Sequence, residues 1–158
     1  MKRFHPGDAP DLHSRPPQPR RRVLYVEDDP TNREVAKLRL DKKYDIVFAT
    51  SDREACKAFV QYGSDLSVIL MDIELKGSLL NGIDLTRLVR GTLPPERRPA
   101  FAESVSLLDV PILFLSAYGM MHTRAELIKA GGDDLVDKPI DFVALHTTIA
   151  RVYLQRLA

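Results

Sequence analysis

At 158 residues, 44% hydrophobic and 28% charged, the chain has the length for one domain with a full core and the make-up of a soluble globular protein. A formal net charge of +1 gives no global field toward nucleic acid or a membrane surface, and a single cysteine, Cys56, excludes a disulfide framework and a cysteine-rich metal centre. No stretch approaches the ~20 apolar residues of a membrane span, and the N-terminus lacks the apolar segment of a signal peptide, so a cytoplasmic protein is expected.

Residues 1–20 have no hydrophobic periodicity and carry Pro16, Pro17 and Pro19 among Arg15 and Arg20, with Arg21 and Arg22 following. A disordered basic tail is expected there, and one folded domain over 21–158. The first strand is predicted over 22–26. Asp29-Pro30 reads as the N-cap and first position of a helix whose apolar side is Val35, Ala36, Leu38 and Leu40. A second strand follows over 44–49. Ser51 and Glu54 match a capping box opening a helix that turns Ala55, Phe59 and Tyr62 inward and stops near Gly63. The run Val68-Ile69-Leu70-Met71 ends a third strand over 66–71, apolar enough to be buried on both faces.

A glycine-containing loop leads to a third helix over 83–90, with Gly91 just past its end. Pro94, Pro95 and Pro99 forbid a continuous helix over 91–109, which reads as an insertion with a helical turn inside 100–108. Its Phe101, Val105, Leu107 and Leu108 either fold back on the core or form a contact surface. A fourth strand is predicted over 111–115, a helix over 123–130 closed by Gly131, and a short fifth strand at 135–136. The last helix opens at Asp141 with Val143, Leu145, Ile149, Val152 and Leu157 toward the core. Strands alternating with helices give an α/β (βα)5 fold with a parallel sheet and right-handed crossovers.

Chemistry-bearing residues end four of these strands: Glu27-Asp28, Asp72, Ser116-Ala117 and Lys138. In an open α/β sheet, ligands sit at the carboxyl ends of the strands, so these residues should converge although they are remote in sequence. Three carboxylates, a hydroxyl and an ammonium suit a divalent cation and a phosphoryl group. Adjacent acids cost stability unless a cation offsets them. Mg²⁺ takes one or two carboxylates and keeps several waters, so Asp28 and Asp72 are expected as direct ligands and Glu27 through water. Asp72 is the candidate nucleophile. Asp29 is left to serve the helix dipole. Lys138-Pro139 is a candidate cis bond. His122 and His146 have no partner at metal-ligand spacing, Cys56 reads as a small buried residue, and no phosphate-binding glycine loop is present.

Taken together, from Arg22 to Leu157, these motifs resemble the receiver domain of two-component response regulators in order and spacing. The resemblance implies a flavodoxin-like doubly wound sheet, strand order 2-1-3-4-5. It implies phosphoryl transfer from a histidine kinase or histidine phosphotransfer protein to Asp72, with Mg²⁺ held by Glu27, Asp28, Asp72 and the backbone carbonyl of Glu74. Ser116 and Lys138 would contact phosphoryl oxygens, and Ala117 would leave access. Such a domain is a signalling switch that assists only its own phosphorylation and dephosphorylation. It is expected to stand alone, as a monomer or phosphorylation-dependent dimer, with a downstream protein partner and no direct DNA contact.

Three departures from the receiver pattern stand out. Leu135 occupies a position where many receivers carry Tyr or Phe, the interval from Asp72 to Ser116 is longer than usual, and Lys76 replaces a Pro often found four after the acceptor. Glu74 and Tyr118 could tune phosphoryl lifetime, and Met120-Met121 could join an output surface. Two other functions compete: a degenerate receiver acting as a phosphorylation-independent interaction module, and a metal-dependent phosphohydrolase. The second lacks an Asp two residues after Asp72, where Glu74 stands.

Overall fold

The computed structural model describes residues 19–117 and 122–157. The expectations for residues 1–18, Tyr118, Met120 and Met121 lie outside the described residues. The elements run β1 (Arg21–Val26), α1 (Pro30–Leu40), β2 (Tyr44–Ala49), α2 (Asp52–Tyr62), β3 (Leu66–Asp72), α3 (Gly82–Arg90), β4 (Ile112–Ala117), α4 (Arg124–Ala130), β5 (Asp134–Lys138) and α5 (Phe142–Leu157). The five strands pair in parallel in the order β2-β1-β3-β4-β5. This is the predicted flavodoxin-like arrangement.

Successive strand residues point to opposite faces, and both faces are covered. On one, Leu24, Val26, Ile69, Met71, Ile112 and Phe114 pack under α2, α3 and α4. On the other, Val23, Tyr25, Val68, Leu70, Leu113 and Leu115 pack under α1 and α5. That double burial is why the central strands read as unbroken apolar runs.

Local signals hold at most helix starts. The Asp29 side chain accepts the Asn32 N–H, and Pro30 opens α1. Asn81 with Asp84 and Thr123 with Glu126 form reciprocal capping boxes on α3 and α4. The predicted box on α2 is only half formed. Ser51 accepts the Glu54 N–H, but the Glu54 carboxylate turns to the Thr50 N–H and hydroxyl, both at 2.9 Å.

Four predicted core positions face solvent. In α1 the buried residues are Ala36 and Leu40, while Val35 is 43% and Leu38 75% exposed. Leu38 lies two residues, about 200° around the helix, from each buried neighbour. In α5, Leu145, Ile149 and Val152 are buried, whereas Val143 and Leu157 are exposed.

The strands around the site are longer than predicted. β4 runs on through Ser116 and Ala117, which pair with Asp137 and Lys138 of a five-residue β5. The insertion over 91–109 forms the expected helical turn within 100–108, a 3₁₀ turn at Ala100–Ala102, and a second 3₁₀ turn at Pro95–Arg97 that was not expected. It folds back on the core: Leu93, Ala102 and Val105 are buried, Phe101 and Leu108 pack against them, and Leu107 is left exposed.

Candidate functional site

The carboxyl ends of β1, β3, β4 and β5 surround a cleft of about 690 Å³ lined by Glu27, Asp28, Asn32, Arg33, Asp72, Glu74, Lys76, Ala117 and Lys138 among others. All seven predicted site residues are at or beside it. Glu27, Asp28 and Asp72 each offer a carboxylate oxygen, and these oxygens lie within 4.8 Å of one another. Lys138 Nζ is 3.2 Å from both Glu27 Oε2 and Asp72 Oδ1. The Lys138–Pro139 bond is cis, as predicted. Ser116 is buried at the end of β4, and its hydroxyl donates to the Ala117 carbonyl at 3.3 Å.

Burial, then the nearby Glu27 charge, pushes the Asp72 carboxyl up to about 6, against the pull of Lys138. Burial by itself would lower the Lys138 ammonium, but the Asp72 and Glu27 carboxylates outweigh it and hold the group above its ordinary value. One ammonium thus faces crowded carboxylates. A cation-demanding, water-accessible site of oxygen donors is what a hard divalent ion fits.

The two acids of β1 are held differently. Glu27, almost wholly buried, accepts from the Tyr25 hydroxyl, the Asp29 N–H, Asn32 Nδ2 and Lys138 Nζ. Asp28 is half-buried and takes the Lys76 N–H on Oδ2 at 3.0 Å. Arg33 donates to the backbone carbonyls of Glu27 (3.0 Å) and Asp28 (2.8 Å), fixing the turn that presents both acids.

Sequence reasoning missed these supports, because Tyr25, Asn32 and Arg33 read only as strand and helix residues. It also missed Gly82. A Cβ there would fall 2.0 Å from the Asp72 carbonyl oxygen, so α3 can start against the end of β3 only with glycine. The Gly82 N–H donates to Ile73 O at 2.8 Å across the same approach.

The model of the response regulator receiver domain family matches residues 23–150. The chain belongs to that family. The receiver is 33% identical over 129 residues to the two-component response regulator PhoP of Pseudomonas aeruginosa, covering 81% of this chain and 49% of that protein. It is 30% identical to the sensor protein GacS of Pseudomonas syringae (84% and 13%) and 28% identical to histidine kinase 2 of Arabidopsis thaliana (84% and 12%). The receiver therefore spans half or less of the curated relatives it matches.

Among solved structures, NtrX from Brucella abortus has the same fold, with a TM-score of 0.68 at 21% identity, covering 87% of this chain and 27% of that one. The receiver domain of sensor histidine kinase PA1611 from Pseudomonas aeruginosa has a TM-score of 0.64 at 26% identity, covering 85% and 98%. That structure has a magnesium ion coordinated in its active-site cleft. Receivers of this family are signalling switches of two-component systems. No helix among the described residues is long and apolar enough to cross a membrane.

Proposed function

We propose that this receiver takes a phosphoryl group from a phosphohistidine onto Asp72 and thereby switches its protein contacts. The observation that carries the reading is Asp72 itself, a carboxylate at a strand end with two further acids and the Lys138 ammonium around it. A carboxylate is a weak nucleophile, and transfer depends on spreading the charge of the moving phosphoryl group.

Asp28 and Asp72, with the Glu74 carbonyl, would hold a Mg²⁺. Glu27, whose oxygens already accept four hydrogen bonds, would act on it through water. When bound, the ion supplies positive charge to the phosphoryl oxygens. An Asp72 oxygen attacks phosphorus, the P–N bond of the phosphohistidine breaks, and the imidazole leaves with the electron pair. Lys138 then pairs with a phosphoryl oxygen in place of the free carboxylate, and the Ser116 hydroxyl turns from the Ala117 carbonyl to another. Ala117, small and at the cleft wall, leaves the path open. These contacts exist only in the phosphorylated state, so they bias one conformation over the other.

The donor is a histidine kinase or histidine phosphotransfer protein that docks its phosphohistidine helix across α1. A groove of about 220 Å³ lined by Val35, Pro139, Ile140 and Phe142 shares Asn32 and Lys138 with the acidic cleft, and Val35 and Leu38 stand exposed beside it. The receiver acts in the cytoplasm, where such donors and Mg²⁺ occur.

Incubating the purified chain with Mg²⁺ and acetyl phosphate tests the reading by intact mass. Wild type gains one phosphoryl group, and Asp72→Asn or added chelator abolishes the gain. A wild type that never gains it would instead favour a phosphorylation-independent interaction module. Leu135, packed against the core where an aromatic switch residue would stand, is the feature that favours that second reading.

A further inference from the structure

The loop leaving β3 carries two groups toward the cleft: Glu74, which lines it, and the Lys76 N–H, which holds Asp28. The polar anchor of this loop comes from outside the site. Asp52, first residue of α2 and 3% exposed, accepts the Leu79 N–H at 2.8 Å and the Leu80 N–H at 3.1 Å on one oxygen, Oδ2. Its other oxygen takes the adjacent Arg53 N–H at 2.8 Å. The Asp52 N–H donates to Ser78 Oγ at 3.1 Å. Three hydrogen bonds therefore tie residues 78–80 to the start of α2, across 26 to 28 positions of sequence.

An acid in the first turn of a helix is ordinarily explained by the helix dipole. That role needs no loop amides, and Glu54 stands in the same turn. Burial of Leu75 and Leu80 also holds the loop, but apolar packing is non-directional and does not aim a backbone N–H. Charge-assisted bonds to a buried carboxylate are short and directional.

We propose that Asp52 is a positioning residue for the cation cleft. By fixing residues 78–80 it sets the path of the loop, so that the Lys76 N–H stays on Asp28 Oδ2 and leaves the other Asp28 oxygen turned to the cation. Lys76 matters here through its backbone: proline at 76 has no N–H to give. The inference rests on the Mg²⁺ reading above.

Calorimetric titration of the full chain with MgCl₂ alone, beside hydrogen exchange over 76–80, separates the possibilities. Thermal melts establish that each variant is folded at the titration temperature. Asp52→Ala is expected to weaken Mg²⁺ about 10-fold, the scale for losing an outer partner of a metal ligand, and to speed exchange at 79 and 80. Asp52→Asn keeps one oxygen for both loop amides and stays within about 3-fold of wild type, a rescue that a dipole role would not give. If Asp52→Ala does not fold, Asp52→Ser, whose hydroxyl is too short to hold both loop amides, carries the test, with the same weakening expected. Unchanged Mg²⁺ affinity in a folded Asp52→Ala or Asp52→Ser overturns the positioning role and leaves the site reading intact. A wild type that binds no Mg²⁺ overturns both.

Discussion

At Asp72, function and stability oppose each other. Its carboxyl, raised from an ordinary 3.8 to about 6 by burial and by Glu27, binds its proton more tightly in the folded chain than in the unfolded one. The folded state therefore loses stability as pH rises from about 4 to about 6, on the order of 2 kcal/mol, and the loss is fully present above pH 6. Asp72→Asn removes the charge and is expected to raise Tm by several degrees at pH 7 without Mg²⁺. The gap to wild type should close as pH falls through 6 toward 4. Parallel melts across that range check it, and a variant less stable than wild type at pH 7 would show that Lys138 dominates the balance.

At the scale of elements, the insertion is fastened to the sheet by one side chain of α3. Arg90 donates to Gly131 O (3.0 Å), Leu108 O (2.7 Å), Val110 O (2.7 Å) and Asp133 Oδ2 (3.2 Å). Asp133 in turn accepts the Ile112 N–H at the start of β4. Arg90→Ala leaves the carbonyls of Leu108, Val110 and Gly131 without this donor, while Asp133 keeps the Ile112 N–H and Arg156, at a cost of about 3 kcal/mol in urea unfolding. Arg90→Lys should recover little, because an ammonium cannot span the fork. The exposed side of α1 makes a separate prediction. Leu38→Asp should slow phosphoryl transfer from a protein donor while leaving the rate with acetyl phosphate unchanged, since Leu38 lies outside the acidic cleft. Equal slowing with both donors would move the docking surface elsewhere.

For the whole molecule, the cleft draws on four strand ends, so cation binding should stabilise the domain as a unit. Mg²⁺ at about 100 times its Kd is worth about 2.7 kcal/mol, a clear rise in Tm for wild type. Asp28→Ala or Asp72→Ala should flatten that response, and a scan of Tm against MgCl₂ measures it.

The sequence alone was enough for the alternation of strands and helices, the capping residues Asp29 and Ser51, and the strand-end positions of Glu27, Asp72, Ser116 and Lys138. Each of these follows from local periodicity, a turn residue, or the rule that places ligands at the carboxyl ends of parallel strands. It misjudged Leu38 and Val143 because apolarity does not say which side of a helix meets the sheet; the buried partners Leu40 and Leu145 decide that. Only the tertiary structure reveals that Gly82 must lack a Cβ to pass Asp72, that Arg33 braces the acid turn, and that Asp52 reaches the loop beside Asp28. Those roles depend on distances between segments far apart in the chain, and no local pattern encodes such a distance.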